Sequence, residues 1–206
     1  MSLDRGFFIT FEGADGCGKT TQSELVKKYL EDKGFDVVWT REPGSIGLGQ
    51  KIRELLLHYD GDVAPMCEAF LFLADRAQHI EKFIKPAVDN GKIVLCDRHT
   101  DSTIAYQGYG RGEDIVQLKY LNNLATGDMK PDLTFVFDVT TETAQKRVGS
   151  EKDRMESAGI EFHKKVRHGY LKIAKQEPER VKVVDANQTI EKVFADTKAV
   201  LDKIFI

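Results

Sequence analysis

The sequence predicts an α/β fold: a five-stranded parallel sheet flanked by helices on both faces. Two observations carry that expectation. Five short runs rich in Val, Ile or Phe recur along the 206-residue chain, at Phe7–Phe11, Asp36–Thr40, Lys92–Cys96, Leu133–Val139 and Val181–Val184, with helical patterns between them. Strands that alternate with helices form parallel sheets covered on both sides. The second observation is Gly13-Ala14-Asp15-Gly16-Cys17-Gly18-Lys19-Thr20, a G-x-x-x-x-G-K-T pattern directly behind the first run. The pattern arises by chance in about one chain of this length in a hundred, and the strand in front of it makes the coincidence rarer. A glycine-rich loop of consecutive backbone N–H groups, followed by a helix N-terminus, is an anion cradle.

Each element can be justified in turn. After the loop, Leu25, Val26, Tyr29 and Leu30 line one face of a helix. The second strand runs into Glu42-Pro43-Gly44-Ser45-Ile46-Gly47-Leu48-Gly49, a turn that is rigid at Pro43 and flexible at its glycines. A long helix is expected from about Met66 to Val88, ending near Asn90-Gly91 with Pro86 close to that end. Its Ala69-Phe70-Leu71-Phe72-Leu73-Ala74 stretch is apolar all round, more than one buried stripe needs. Three readings fit: burial in the core, a ligand pocket on one side, or a subunit interface. The third run, Ile93-Val94-Leu95-Cys96, is continuous enough for burial on both faces. Ser150 to Gly159 is polar and charged, between two helical patterns. At the end of the chain, Ile190, Val193, Phe194, Val200, Leu201 and Ile204 repeat at helical spacing, with Thr189 as N-cap.

Composition excludes several classes. The net charge of −3 does not suit bulk binding to nucleic acid or to an anionic membrane. No apolar run approaches the ~20 residues of a membrane span, and Asp4 and Arg5 interrupt any signal peptide. Cys17, Cys67 and Cys96 are odd in number and widely spaced, which fits a reducing cytoplasm better than a disulfide framework. The cysteines and five histidines form no close cluster in sequence, so no zinc site is expected. Cys17 reads as a small loop residue rather than a nucleophile.

The chemistry-bearing residues follow the strand ends. Lys19 would reach the terminal phosphates of a nucleotide, and Thr20 would ligate Mg²⁺. Asp97, closing the third run beside that loop, belongs in the same Mg²⁺–nucleotide site, since ligands of open α/β sheets bind at the carboxyl ends of strands. Arg98 next to it offers bidentate recognition of phosphate. His99 reads as a packing or hydrogen-bonding residue. Ser102, Tyr106 and Thr103 share one face of a helical turn, which suits a sugar or base as well as it suits a solvated, capped helix.

Several stretches together resemble the thymidylate kinases of bacteria, in order and over nearly the whole chain: Phe11 to Thr21, Thr40-Arg41-Glu42-Pro43-Gly44, Leu71 to Ala77, Asp97-Arg98-His99, Ala105-Tyr106-Gln107-Gly108 and Val184 to Gln188. The resemblance implies a P-loop NTPase of the nucleoside monophosphate kinase type, one domain over 1–206 with a short lid at about 150–158. It implies phosphorylation of dTMP to dTDP with Mg-ATP, for dTTP biosynthesis, and it suggests a homodimer. ATP would lie on Gly13, Ala14, Asp15, Gly16, Cys17, Gly18, Lys19 and Thr20, with Asp185 to Gln188 flanking adenine. By the same resemblance Phe72 would stack on thymine, Arg76 would bond its edge, and Ser102, Thr103 and Gln107 would lie on the base side. Tyr106 would crowd the sugar 2′ position, Asp15 would approach the 3′-hydroxyl or the metal, and Arg53 and Arg98 would hold the acceptor phosphate. Glu42–Pro43 would be cis. Family members carry a further arginine either in the phosphate loop or in the lid. Position 16 is glycine here, so Arg154, helped by Lys152, is the implied catalytic cation beside Lys19, Arg98 and Asp15. Ser45 departs from the family's usual second glycine after Pro-Gly. The alternatives are another nucleoside monophosphate or deoxynucleoside kinase on the same fold, or a guanine-nucleotide switch, whose Asn-Lys-x-Asp element is missing.

Overall fold

The computed structural model describes residues 5–147 and 153–205. Five parallel strands, β1 (Phe7–Glu12), β2 (Val37–Arg41), β3 (Ile93–Asp97), β4 (Leu133–Asp138) and β5 (Val181–Asp185), form one sheet in the order β2-β3-β1-β4-β5. All five expected strands are present, with no end moved by more than one residue. The central strands are buried on both sides, as their uninterrupted apolar sequences require: every residue of β3 is buried. One layer of core packs Ile9, Phe11, Leu95 and Phe135 against Val26 and Leu30 of α1 (Lys19–Asp32) and Val193 and Leu201 of α9 (Ile190–Phe205). The other packs Val136 and Val181 against Val166, Tyr170 and Ile173 of α8 (Ile160–Gln176). Thr189 caps α9, its hydroxyl accepting from the Lys192 N–H at 3.4 Å.

The helix expected from Met66 to Val88 is present but not uniform. It starts as α3 (Pro65–His79), passes through a π-helical turn at Ile80–Ile84, and resumes as α4 (Lys85–Asp89). Pro86 has no N–H for the carbonyl one turn before it and its ring crowds that carbonyl, so the last turns widen. The apolar stretch is not uniformly buried: Ala69 and Leu73 are core, Phe72 is half-buried, and Phe70 is 53% exposed. A second π-helical run, Ile104–Gly110, continues α5 (Thr100–Thr103) behind β3. α2 (Leu48–His58) and α6 (Ile115–Thr126) complete the layers, with α7 (Thr141–Arg147) leading towards the lid segment. The sequence reading passed over α6, although Asp114 caps it by accepting from Val116 and Gln117 N–H groups and Gly127 ends it in the left-handed region. Of the expected lid, 153–158 is described as a turn. Lys152 lies outside the described residues.

Candidate active site

The site forms where β1, β2 and β3 end together. The loop after β1 is shaped by glycine: Gly13 has φ 142°, and a Cβ there would stand 2.7 Å from the Phe137 carbonyl oxygen and 2.8 Å from Cys17 Sγ. Cys17 is buried and its thiol is pushed up by burial, so it is an inert packing residue. Behind the loop, the Thr20 hydroxyl donates to Asp97 Oδ2 at 2.7 Å. Asp97 Oδ1 is buried and has no partner. A hydroxyl oxygen beside a buried carboxyl oxygen that has no partner is the donor set a hard divalent cation takes, so Thr20 and Asp97 fit Mg²⁺.

Arg98 is the centre of the neighbouring cleft. Its backbone is in the left-handed region, φ 70°, which costs a non-glycine residue about 1 kcal/mol and turns the side chain back across the loop. The guanidinium donates to Gly13 O (3.0 Å), Tyr106 Oη (3.1 Å), Ser102 Oγ (3.3 Å), Tyr170 Oη (3.3 Å) and Asp15. Asp15 also faces Lys19 Nζ at 3.7 Å and accepts from the Tyr106 hydroxyl at 2.9 Å. Burial opposes its ionisation, but Arg98 and Lys19 outweigh it and hold the carboxyl far below the usual range. Asp15 therefore bridges Lys19 of the phosphate loop and Arg98 of the cleft.

A cleft opens from this point, lined among others by Asp15, Arg53, Phe72, Arg98, Ser102, Thr103, Tyr106 and Gln107. Every one of these was expected on the acceptor side. Arg53 projects from α2, donating to Pro43 O at 2.9 Å, and burial and Arg41 lower its pKa. Gly44 lets the loop approach it: a Cβ there would meet Arg53 Cβ at 2.7 Å, and φ is 94°. Glu42–Pro43 is cis. Ser102 stands beside Arg98, donating to Glu12 Oε2 at 2.6 Å.

Two of the arginines expected at the ligands are paired within the protein. Arg76 is not among the residues that line the cleft. It is 1% exposed and donates to Glu42 Oε2 (2.9 Å), Thr103 Oγ1 (2.8 Å), Asn122 Oδ1 (2.6 Å) and His99 O (2.9 Å). A buried guanidinium needs a counter-ion and acceptors, and Glu42 in the wall supplies the charge. Arg154 is held on α2 and Glu68. Its Nη1 pairs with buried Glu68 at 2.6 Å, and its Nε and backbone N–H donate to Leu56 O and Leu57 O. These are among the last carbonyls of α2, which lack partners inside the helix and attract cations. Arg154 thus anchors the 153–158 turn to α2, while its neighbours Asp153 and Met155 line the cleft. A catalytic role requires it to leave Glu68.

In space, potential ligand atoms of Glu42, His79 and Cys96 lie within 4.8 Å of one another. They are committed elsewhere. Glu42 Oε1 takes His79 and His99 Nδ1 at 3.0 Å each, His79 Nε2 meets Thr40 Oγ1 at 2.7 Å, and Cys96 Sγ donates to Arg98 O. Arg76 on the other oxygen opposes any cation.

Sequence reasoning gave no role to Glu12. It accepts from the His99 N–H, Ser102 and Tyr170 hydroxyls, and burial and Asp101 push it up to about 7. A carboxylate closing an apolar strand, as Asp97 does, was the available signal. Tyr170 had none, being 158 residues away from Glu12.

Comparison with known proteins agrees with this geometry. The thymidylate kinase family model matches residues 11–197. A thymidylate kinase of a Sulfurihydrogenibium species is 50% identical over 189 residues, covering 91% of this chain and 93% of that one. The thymidylate kinase of Desulfovibrio desulfuricans is 44% identical over 205 residues, covering 95% and 94%. The crystal structure of thymidylate kinase from Ehrlichia chaffeensis superposes with a TM-score of 0.79 at 40% identity, covering 96% of this chain and 99% of that one. A phosphate loop joined through one carboxylate to an arginine-walled cleft, with matches of this extent, leaves one assignment: the chain belongs to the thymidylate kinase family.

Proposed function

We propose that this chain transfers the γ-phosphoryl group of ATP to the phosphate of dTMP, giving dTDP for dTTP biosynthesis. The observation that carries this is the Asp15 bridge, which places Lys19 of the donor loop and Arg98 of the acceptor cleft on one carboxylate. The acceptor phosphate, with a second pKa of about 6, is mostly a dianion at neutral pH and needs no general base. The barrier is repulsion between two polyanions, so positioning and charge neutralisation suffice. Lys19 holds the donor's terminal phosphates, and Arg98 and Arg53 hold the acceptor phosphate. Phe72 faces the base, and Tyr106 stands at the sugar. Thr20 and Asp97 would hold Mg²⁺, which when bound neutralises charge on the donor phosphates.

We read 1–206 as one kinase domain whose lid spans about 150–158, working in the cytoplasm. No described helix is long and apolar enough to cross a membrane, and all three cysteines are free. A coupled ADP-release assay with dTMP, dUMP, dCMP, AMP and thymidine tests the function. Fastest turnover is expected with dTMP. Best activity on thymidine, or none on any acceptor, would overturn the assignment.

The homodimer reading is supported by an apolar stripe on α6. Val116, Tyr120 and Leu124, four residues apart, are 77%, 68% and 70% exposed, and α6 packs beside α3 with its exposed Phe70. Contiguous exposed apolar area of this kind marks an interface. Sedimentation is expected to give a dimer for the wild type and a monomer for Tyr120→Glu with Leu124→Glu. A wild-type monomer at working concentration refutes it.

A further inference from the structure

Two side chains in the wall of the acceptor cleft could present either a hydrogen-bond donor or an acceptor to a base: the Gln107 amide and the Thr103 hydroxyl. Each is held from behind by a buried charge of fixed polarity. Gln107 Nε2 donates to Glu68 Oε1 at 2.8 Å. Glu68 has no exposed surface, and it also accepts from Arg111 Nε and Nη2 (3.3 and 3.1 Å) and from Arg154 Nη1 (2.6 Å). Beside two guanidinium groups it is an ionised carboxylate, which only accepts. The amide nitrogen must therefore face Glu68, and the amide oxygen is the end left for the cleft that Gln107 lines. On the same helical run, Thr103 Oγ1 accepts from Arg76 Nη1 at 2.8 Å. Arginine only donates, so the hydroxyl keeps its own hydrogen for another partner.

We propose that Glu68 is a positioning residue for acceptor choice: by fixing the Gln107 amide it turns a carbonyl oxygen to the cleft, which accepts from a pyrimidine bearing N–H at N3 and repels one whose N3 is an acceptor. Thymine and uracil have that N–H, next to a carbonyl oxygen at C4 that takes the Thr103 hydroxyl. Cytosine presents the reverse pattern at both positions. A site built to bond one such edge rejects the other because its own buried groups are left unpaired. The inference rests on the proposal that the acceptor is a pyrimidine deoxynucleotide, and it adds a residue that touches no substrate.

Glu68→Gln separates polarity from shape. Its single carbonyl oxygen is drawn to the two charged arginines, whose hydrogen bonds are stronger. Its amide NH₂ then faces Gln107, which turns over and presents its own NH₂ to the cleft. The readout is the ratio of kcat/KM for dTMP to that for dCMP, with Kd values from calorimetric titration of both nucleotides. The ratio is expected to fall about tenfold in Glu68→Gln, through KM and Kd more than kcat, and to be restored in Glu68→Asp, which keeps an acceptor-only group. In a Gln107→Leu background, Glu68→Gln is expected to leave the ratio where Gln107→Leu alone puts it. A purely structural role would lower both acceptors alike. A ratio within twofold of wild type in Glu68→Gln, or the same shift with Gln107 absent, overturns the inference. A wild-type enzyme that shows no preference for dTMP overturns the proposed function instead.

Discussion

Arg98→Ala is expected to lower kcat by about 10³-fold or more, the scale of a transition-state arginine, and to weaken dTMP binding in the same variant. The reason for a double effect is the Asp15 bridge. In the wild type Arg98 and Lys19 share one carboxylate. Without the guanidinium, Asp15 has only Lys19 as counter-ion, and the donor-side cation is drawn towards the acceptor side. The Tyr106 ring also loses the guanidinium that stacks over it at 4.9 Å. Arg98→Lys is expected to recover little, because a single ammonium cannot serve Gly13 O, Asp15 and Tyr106 at once in the geometry of a planar fork. Steady-state kcat and KM with dTMP, together with an equilibrium titration of dTMP, check this. Unchanged acceptor affinity would move the acceptor phosphate to another part of the cleft.

The parts of the site legible in the sequence share one property: their role is decided by where the strands end. Gly13 to Thr20 follows β1, Asp97 and Arg98 follow β3, and a parallel sheet brings those ends together whatever the loops do. Phe72, Thr103, Tyr106 and Gln107 were legible through the resemblance, and the cleft contains all of them. For Arg76 and Arg154 the structure adds what the sequence did not announce: each is neutralised by a carboxylate remote in sequence, Glu42 and Glu68. No local pattern announces such pairing, since Glu68 reads as an ordinary first-turn residue of α3. The π-helical runs escaped for a different reason. Their wider turn moves side chains off the 3.6-residue period on which helix reading depends.

The pairing of Arg76 with Glu42 also defines the largest expected loss of stability, in Glu42→Gln. Glu42 is 3% exposed, and its two oxygens hold three buried partners: Arg76 on one, His79 and His99 on the other. Because an ionised carboxylate only accepts, both histidines carry hydrogen on Nδ1. Burial, the largest influence, pushes His99 towards its neutral form. The same burial opposes ionisation of Glu42, yet Arg76 and the histidines more than offset it and hold the carboxyl well below its usual value. Glu42→Gln keeps the shape but leaves the Arg76 guanidinium buried without its ion pair, which costs about 3–5 kcal/mol. That is a large share of the ~5–15 kcal/mol by which a domain is stable. Removing the charge as well, in Glu42→Gln with Arg76→Met, is expected to return part of the loss, since an apolar side chain of similar volume replaces a buried ion pair at little cost. The pH dependence has a definite sign. A carboxyl whose pKa is depressed by folding stabilises fully above its unfolded value, about 4.5, and loses that contribution as pH falls towards its folded value. Urea unfolding is therefore expected to show the full gap between wild type and Glu42→Gln at neutral pH and a narrowing gap below about pH 4.5. A gap under 1 kcal/mol at neutral pH, or one that widens in acid, would mean that Arg76 finds another counter-ion in the wall, and the acceptor-side hydroxyl of Thr103 would then be positioned independently of Glu42.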